Sequence, residues 1–133
     1  MIAGLVDDEL QKLLLSAMRS MSNKMAERLF DGYGPLKDFA AKIDVAFAFK
    51  LIDEKPHTDL RIIKDIRNKF AHAIRFTFFT SPEIIKLCEK LSNYRKNGDC
   101  QIYFRTRAVE CINQIKASAD KQILAAAFQD DRD

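Results

Sequence analysis

The sequence predicts an all-α fold, a single helical bundle of about five helices. Three observations carry that expectation. Apolar residues recur at spacings of three and four along most of the chain. Glycine and proline are scarce, four and three in 133 residues, which leaves few punctuation points and favours long helices. One short segment, "RFTFFT", is aromatic and β-branched enough for a strand, and no second segment of equal strength accompanies it. It is therefore read as a packed, extended connector.

The first helix is expected from about Asp7 to Phe30, with Leu10, Leu13, Leu14, Met18, Met21 and Met25 at helical spacing. "DGYGP", Asp31 to Pro35, ends it. The second helix is expected from about Leu36 to Ile52. It is apolar around most of its circumference, as a central buried helix would be, with Asp44 as the polar exception. The third is expected from about Asp59 to Ile74, with Thr58 or Asp59 as N-cap. These two helices are expected at the centre of the bundle. "SPE" starts a fourth, since Ser81 suits a cap and Pro82 the first helical position; it ends near Leu91. A fifth spans about Ile102 to Phe128, with Phe104, Ala108, Cys111, Ile115 and Ala119 on one stripe. The domain is expected over residues 1–133, with 129–133 as a disordered tail.

Composition narrows the function classes. Hydrophobic residues make up 47% and charged residues 31%, as in soluble globular proteins. The formal net charge is only +3, below the clustered basic excess of a dedicated nucleic-acid binder. The excess is uneven: Lys55 to Arg75 holds six Lys or Arg against two Asp. Cys88, Cys100 and Cys111 are too widely spaced for a paired-cysteine metal or redox motif, and only His57 and His72 could supplement them. The expectation is reduced thiols in a cytoplasmic protein, with no metal and no cofactor. No signal peptide is visible at the start, and no apolar run is long enough for a membrane span.

The stretch "DIRNKFAH", Asp65 to His72, holds the candidate site residues. On a wheel at about 100° per residue, Ile62, Ile63, Ile66, Phe70, Ala73 and Ile74 share one side. Arg61, Lys64, Asp65, Asn68, His72 and Arg75 share the other. Asn68 and His72 are four apart and adjacent. Arg67 lies about 140° from His72, on the apolar side, where a cation needs a partner. Asp44 is the expected one, in an ion pair locking the second and third helices. His57 is expected to be solvated in a turn. The Phe-rich pieces "FAF" and "RFTFF" are expected in the core.

Two resemblances follow from these residues. "LFDGYGPLKDFAAKIDVAFAFKLI" followed by "DLRIIKDIRNKFAH" resembles the mannitol operon repressor family of bacteria. That family has an LF pair ahead of "GPL..F..KI..A..LGLI", and then "L..I..IRN.FAH", at about this separation. The likeness runs from about Gly4 to Leu91. Phe49-Lys50 departs from it, standing where the family tends to have Leu-Gly. Arg67, Asn68, Phe70, Ala71 and His72 match the second motif. The resemblance implies an all-helical, homodimeric transcriptional regulator that is not an enzyme and acts through a protein partner. Direct sequence-specific DNA binding is not expected, because no helix-turn-helix is visible. The dimer expectation also rests on Ile123, Leu124 and Phe128 near the end of the last helix. Arg67 to His72, "RNKFAH", also resembles the Arg–four residues–His motif of HEPN domains, many of them RNA-cleaving. That resemblance implies an alternative, metal-independent ribonuclease or RNA-binding module using Arg67, Asn68 and His72. Cleavage needs a near-neutral base for the 2′-OH and a cation for the phosphorane. On a straight helix the two side chains diverge, so a shared site needs a distortion or a second subunit.

Overall fold

The computed structural model describes residues 2–73 and 76–130. Six helices follow one another: α1 (Ile2–Ala17), α2 (Asn23–Phe30), α3 (Phe39–Ala48), α4 (Glu54–Ala71), α5 (Pro82–Cys88) and α6 (Cys100–Asp130). No strand occurs among the described residues. Residues 131–133, part of the tail expected to be disordered, lie outside the described residues, as do Ile74 and Arg75.

The first expected helix is two helices. Ser22 interrupts it, its hydroxyl accepting the Met25 N–H at 3.2 Å as the N-cap of α2. A serine's short side chain competes for nearby backbone donors, which makes it a better cap than interior residue. α2 ends at Asp31. The following turn returns the chain by a Leu36 N–H to Leu29 carbonyl bond of 2.8 Å. Gly34 is required there, because a Cβ would overlap the carbonyl oxygens of Leu29 and Arg28.

α3 ends in a Schellman arrangement. Lys50 N–H donates to the Phe47 carbonyl and Leu51 N–H to the Ala46 carbonyl, both at 2.9 Å. The residue between helix and loop is Lys50, at φ +62°, in the left-handed region that favours glycine. This is the position at which the sequence departs from Leu-Gly.

α4 starts five residues before the expected Asp59. Asp53 is its N-cap, and Pro56 is accommodated in the first turn, where backbone N–H groups have no helical partner. Thr58 and Asp59 are therefore interior residues, and Asp59 has another task. Only 1% exposed, it accepts Arg107 Nε at 2.6 Å, the Ser92 N–H at 3.0 Å and the Ser92 hydroxyl. Arg107, 3% exposed, sits on the buried stripe of α6 and also donates to Glu110 at 2.9 Å.

The core gathers Val6, Leu10, Leu13 and Leu14 of α1, Ile43 of α3, Leu60, Ile63 and Ile66 of α4, Ile84 of α5 and Phe104, Ala108, Cys111 and Ile115 of α6. The most extensive packing is between α1 and α6. They run parallel: Ile2 and Leu5 lie by Gln101 and Arg105, and Ser16 and Ala17 by Gln122 and Ala125. α4 meets α1, α3, α5 and α6, while α3 packs on α1 and α4.

The Phe-rich pieces divide, against expectation. Phe79 packs between Phe70 and Phe104, with ring centroids 4.9 and 5.4 Å away. Phe76 and Phe78 are exposed, and so is Phe49 at 72%. Phe49 closes α3 just before the chain turns at Lys50, so it points off the helix end. The cysteines also differ from expectation. Cys88 and Cys100 form a disulfide joining the end of α5 to the start of α6, and Cys111 is a buried free thiol.

Two outcomes are expected from this packing. Lys50→Gly removes the left-handed penalty at a smaller cost in chain entropy, and should raise stability by about 0.5–1 kcal/mol, seen as a melting temperature a few degrees higher. Arg107→Ala leaves the Asp59 carboxylate buried without its cation and should lower stability by about 3–5 kcal/mol in denaturant unfolding.

Candidate functional site

The C-terminal half of α4 presents Asp65, Asn68 and Lys69 on its outer side, and His72 follows as its C-cap, its backbone N–H bonded to the Asn68 carbonyl at 2.9 Å. These four side chains form one side of an open hollow of about 970 Å³. Ala73, Phe76 and Thr77 of the connector close one end, and Glu83 and Leu87 of α5 form the opposite wall. Asn68 and His72 are thus brought together as the spacing of four predicts, and both are exposed. Phe70 is half-buried and packs on Phe79, holding the connector against the helix; Ala71 is exposed. Ala73, placed on the apolar side of the wheel, is exposed in the hollow because the helix ends before it.

Arg67 does not join this group. It is half-buried on the other side of α4, with its guanidinium carbon 5.6 Å from the centroid of the Phe39 ring. The expected pair with Asp44 is replaced by this cation–π contact, worth about 0.5–1 kcal/mol. Asp44 is engaged by other groups. Arg61 Nη1 reaches both its oxygens at 2.7 and 2.9 Å, and His57 Nε2 lies 2.9 Å from Oδ1. A carboxylate only accepts, so Nε2 carries the proton in that bond. His57 is not a solvated turn residue: it lies within α4, stacked on Phe47 with ring centroids 4.1 Å apart. The wheel placed Arg67 on the correct side; it could not show that Arg61, two turns nearer the start of α4, stands opposite Asp44.

The buried pairs that sequence reasoning missed both lie on apolar stripes. One is Asp59 with Arg107. The other is Lys42, whose ammonium donates to Asp7 at 2.8 Å and to the Lys37 carbonyl at 3.0 Å. The signal available for each was a charge at a core register, Arg107 beside Ala108 and Lys42 beside Ile43.

These pairs explain the chemistry of the motif residues. Phe30, Leu36, Phe39, Ile43 and Ala46 are buried, as are Leu60, Ile63 and Ile66. The apolar face of the long motif is core. Asn68, Lys69 and His72 are exposed and chemically available, as are Asp31, Tyr33, Lys37, Asp38, Asp44, Lys50 and Asp65 elsewhere in it. Among the described residues no group of three or more His, Cys, Asp or Glu is placed to hold a metal ion, and no helix is long and apolar enough to cross a membrane.

The bonds from His57, and then from Arg61, hold the Asp44 carboxyl below its ordinary value of 3.8, outweighing its partial burial. A depressed carboxyl contributes stability above its unfolded pKa and loses it as pH falls through the folded value. Carbon-detected NMR titration should find the Asp44 carboxyl titrating below its ordinary value of 3.8. Asp44→Asn should cost under about 1 kcal/mol at neutral pH, the pair being half exposed, and nothing in strong acid.

A family model described as mannitol repressor matches residues 2–130. No curated protein and no solved structure matches the chain. The match continues past Leu91, where the quoted motifs end, through the whole of α6. With its motif core formed by α2, α3 and α4 and matched over nearly its entire length, the chain belongs to the mannitol repressor family.

Proposed function

We propose that this protein is a cytoplasmic transcriptional regulator that represses indirectly, by binding a protein partner through the face around Asn68 and His72. The observation that carries this reading is the composition of the hollow. Asp65, paired with Lys64 at 3.1 Å, lines it on the side of Lys69 and His72, Glu83 stands on the α5 side, and Arg67 is turned away over Phe39. Two carboxylates repel a phosphate backbone, and nucleic-acid affinity rests on clustered cations that neutralise phosphates. A mixed set of exposed carboxylate, amide, ammonium and imidazole groups beside the exposed Phe76 suits a polar protein surface with an aromatic contact.

The same geometry weighs against the HEPN-type ribonuclease. That mechanism needs the Arg67 guanidinium and the His72 imidazole on one phosphate, and within one chain they lie on different sides of α4. His72 is nevertheless open to solvent, so the alternative is kept as an outcome of the test. A homodimer is part of the proposal. Ile123, Leu124 and Phe128 remain 59%, 59% and 61% exposed near the end of α6, an apolar group left uncovered by the monomer's own core.

The test is affinity capture from the native host with the full chain, beside an RNA-cleavage assay and a gel-shift series on the host's operators. Capture of a partner by the wild type, lost in the Asn68→Ala/His72→Ala variant, is expected. RNA cleavage abolished by His72→Ala, or saturable sequence-dependent operator binding by the isolated protein at physiological salt, overturns the proposal. Light scattering at micromolar concentration checks the dimer, and a monomer mass rejects it.

A further inference from the structure

Cys88 closes α5 and Cys100 opens α6, and their disulfide staples the two helices at the junction. Both residues are buried in the core with Ile84, Leu91 and Phe104. The other side of α5 is a wall of the hollow: Glu83 and Leu87 face Asn68 and His72, and Leu87 directly precedes Cys88. α5 has seven residues, too few to hold its shape as an isolated helix. Its place depends on Ile84 in the core and on the bond at Cys88. The chain between the two cysteines is exposed from Arg95 to Asp99, so local opening of that turn gives a small thiol access to the bond.

The third cysteine stands apart. Cys111 lies on α6 about 16 Å from Cys100 at the helical rise, too far for a disulfide in the folded chain. Burial pushes its thiol up to about 12, although nearby Arg107 pulls it down, so it supplies no attacking thiolate at neutral pH. The pair therefore has two states and no third sulfur to shuffle with.

We infer that Cys88 and Cys100 form a reversible thiol–disulfide switch that fixes or releases the α5 wall of the hollow. The reductant is a dithiol. Its thiolate attacks one sulfur of the pair, the Cys88–Cys100 bond breaks, and a mixed disulfide forms. The second thiol of the reductant then displaces that sulfur and closes a cyclic disulfide. Two electrons and two protons pass to the protein, leaving Cys88 and Cys100 as thiols; a cyclic disulfide oxidant reverses the step. A disulfide inside a reducing compartment is typically transient or redox-sensing, which suits a conditional bond better than a permanent one. The regulatory consequence rests on the function proposed above; the thiol chemistry and the motion of α5 do not.

The experiment uses the purified full chain, equilibrated in graded mixtures of dithiothreitol and its cyclic disulfide. Acid quench and maleimide trapping under denaturing conditions should count one free thiol at the oxidised end and three at the reduced end, reached from either direction. Hydrogen exchange of the 83–91 amides should accelerate roughly 10- to 100-fold on reduction, the range that opening a short closed loop implies. Exchange in the core of α1 should stay unchanged. The Cys88→Ser/Cys100→Ser variant should show the reduced-state rates at every mixture. Should that variant fail to fold, the reduced wild type decides alone. A thiol count that is the same at every ratio, or equal exchange of α5 in both states, overturns the inference. These readouts use no partner, so a failed capture bears on the proposed function and not on the switch.

Discussion

The buried pair of Asp59 and Arg107 sets the frame for everything around it. Two charges taken out of water carry a desolvation cost of several kcal/mol per ion, offset only when hydrogen bonds satisfy them together. Asp59 meets that condition with Arg107 Nε, the Ser92 N–H and the Ser92 hydroxyl; Arg107 adds Glu110 through Nη1, while its Nη2 is buried without a hydrogen-bond partner among the described residues. Apolar packing tolerates sliding by fractions of a turn; this network does not. It fixes the register of α4 against α6 and pins the turn that follows α5. The end of α4, and with it Asn68 and His72, is placed relative to α5 as a consequence. The hollow inherits its shape from a contact made more than two turns away along α4.

Distribution of the other charges decides what that hollow can do. Several cations are committed elsewhere, Arg61 to Asp44, Lys42 to Asp7, Arg107 to Asp59 and Arg67 to the face of Phe39, while Lys64 pairs with Asp65 at the rim of the hollow. What reaches the hollow is a balanced set. A balanced surface selects by shape and hydrogen bonding more than by long-range attraction, which suits recognition of one protein surface over another.

Much of the architecture was legible in the sequence because helical periodicity is a local signal. The wheel separated Ile62, Ile63 and Ile66 from Asp65, Asn68 and His72, and the structure keeps them apart. What was not legible depended on distance. Arg67 was correctly sent to the inner side of α4, yet a wheel holds no information on which residue of α3 stands opposite. Asp59 looked like a cap because it follows a Pro-His-Thr turn signal, and its real partner lies 48 residues later. The break at Ser22 was hidden by methionines that kept the period across it. The proximity of Cys88 and Cys100 arises from the fold-back of the 89–99 turn, which spacing alone does not disclose.

The parallel contact of α1 with α6 joins residues 2–17 to residues 100–130. The largest interface of the molecule is thus also its most non-local one. Closing it spends the loop entropy of nearly the whole chain, although the fold as a whole is dominated by local helical contacts. During synthesis α1 emerges well before α6, and although α3 and α4 meet α1 earlier, the part of its apolar face that α6 covers waits until α6 has left the ribosome. The nascent chain therefore carries a partly uncovered apolar helix through the synthesis of the intervening elements.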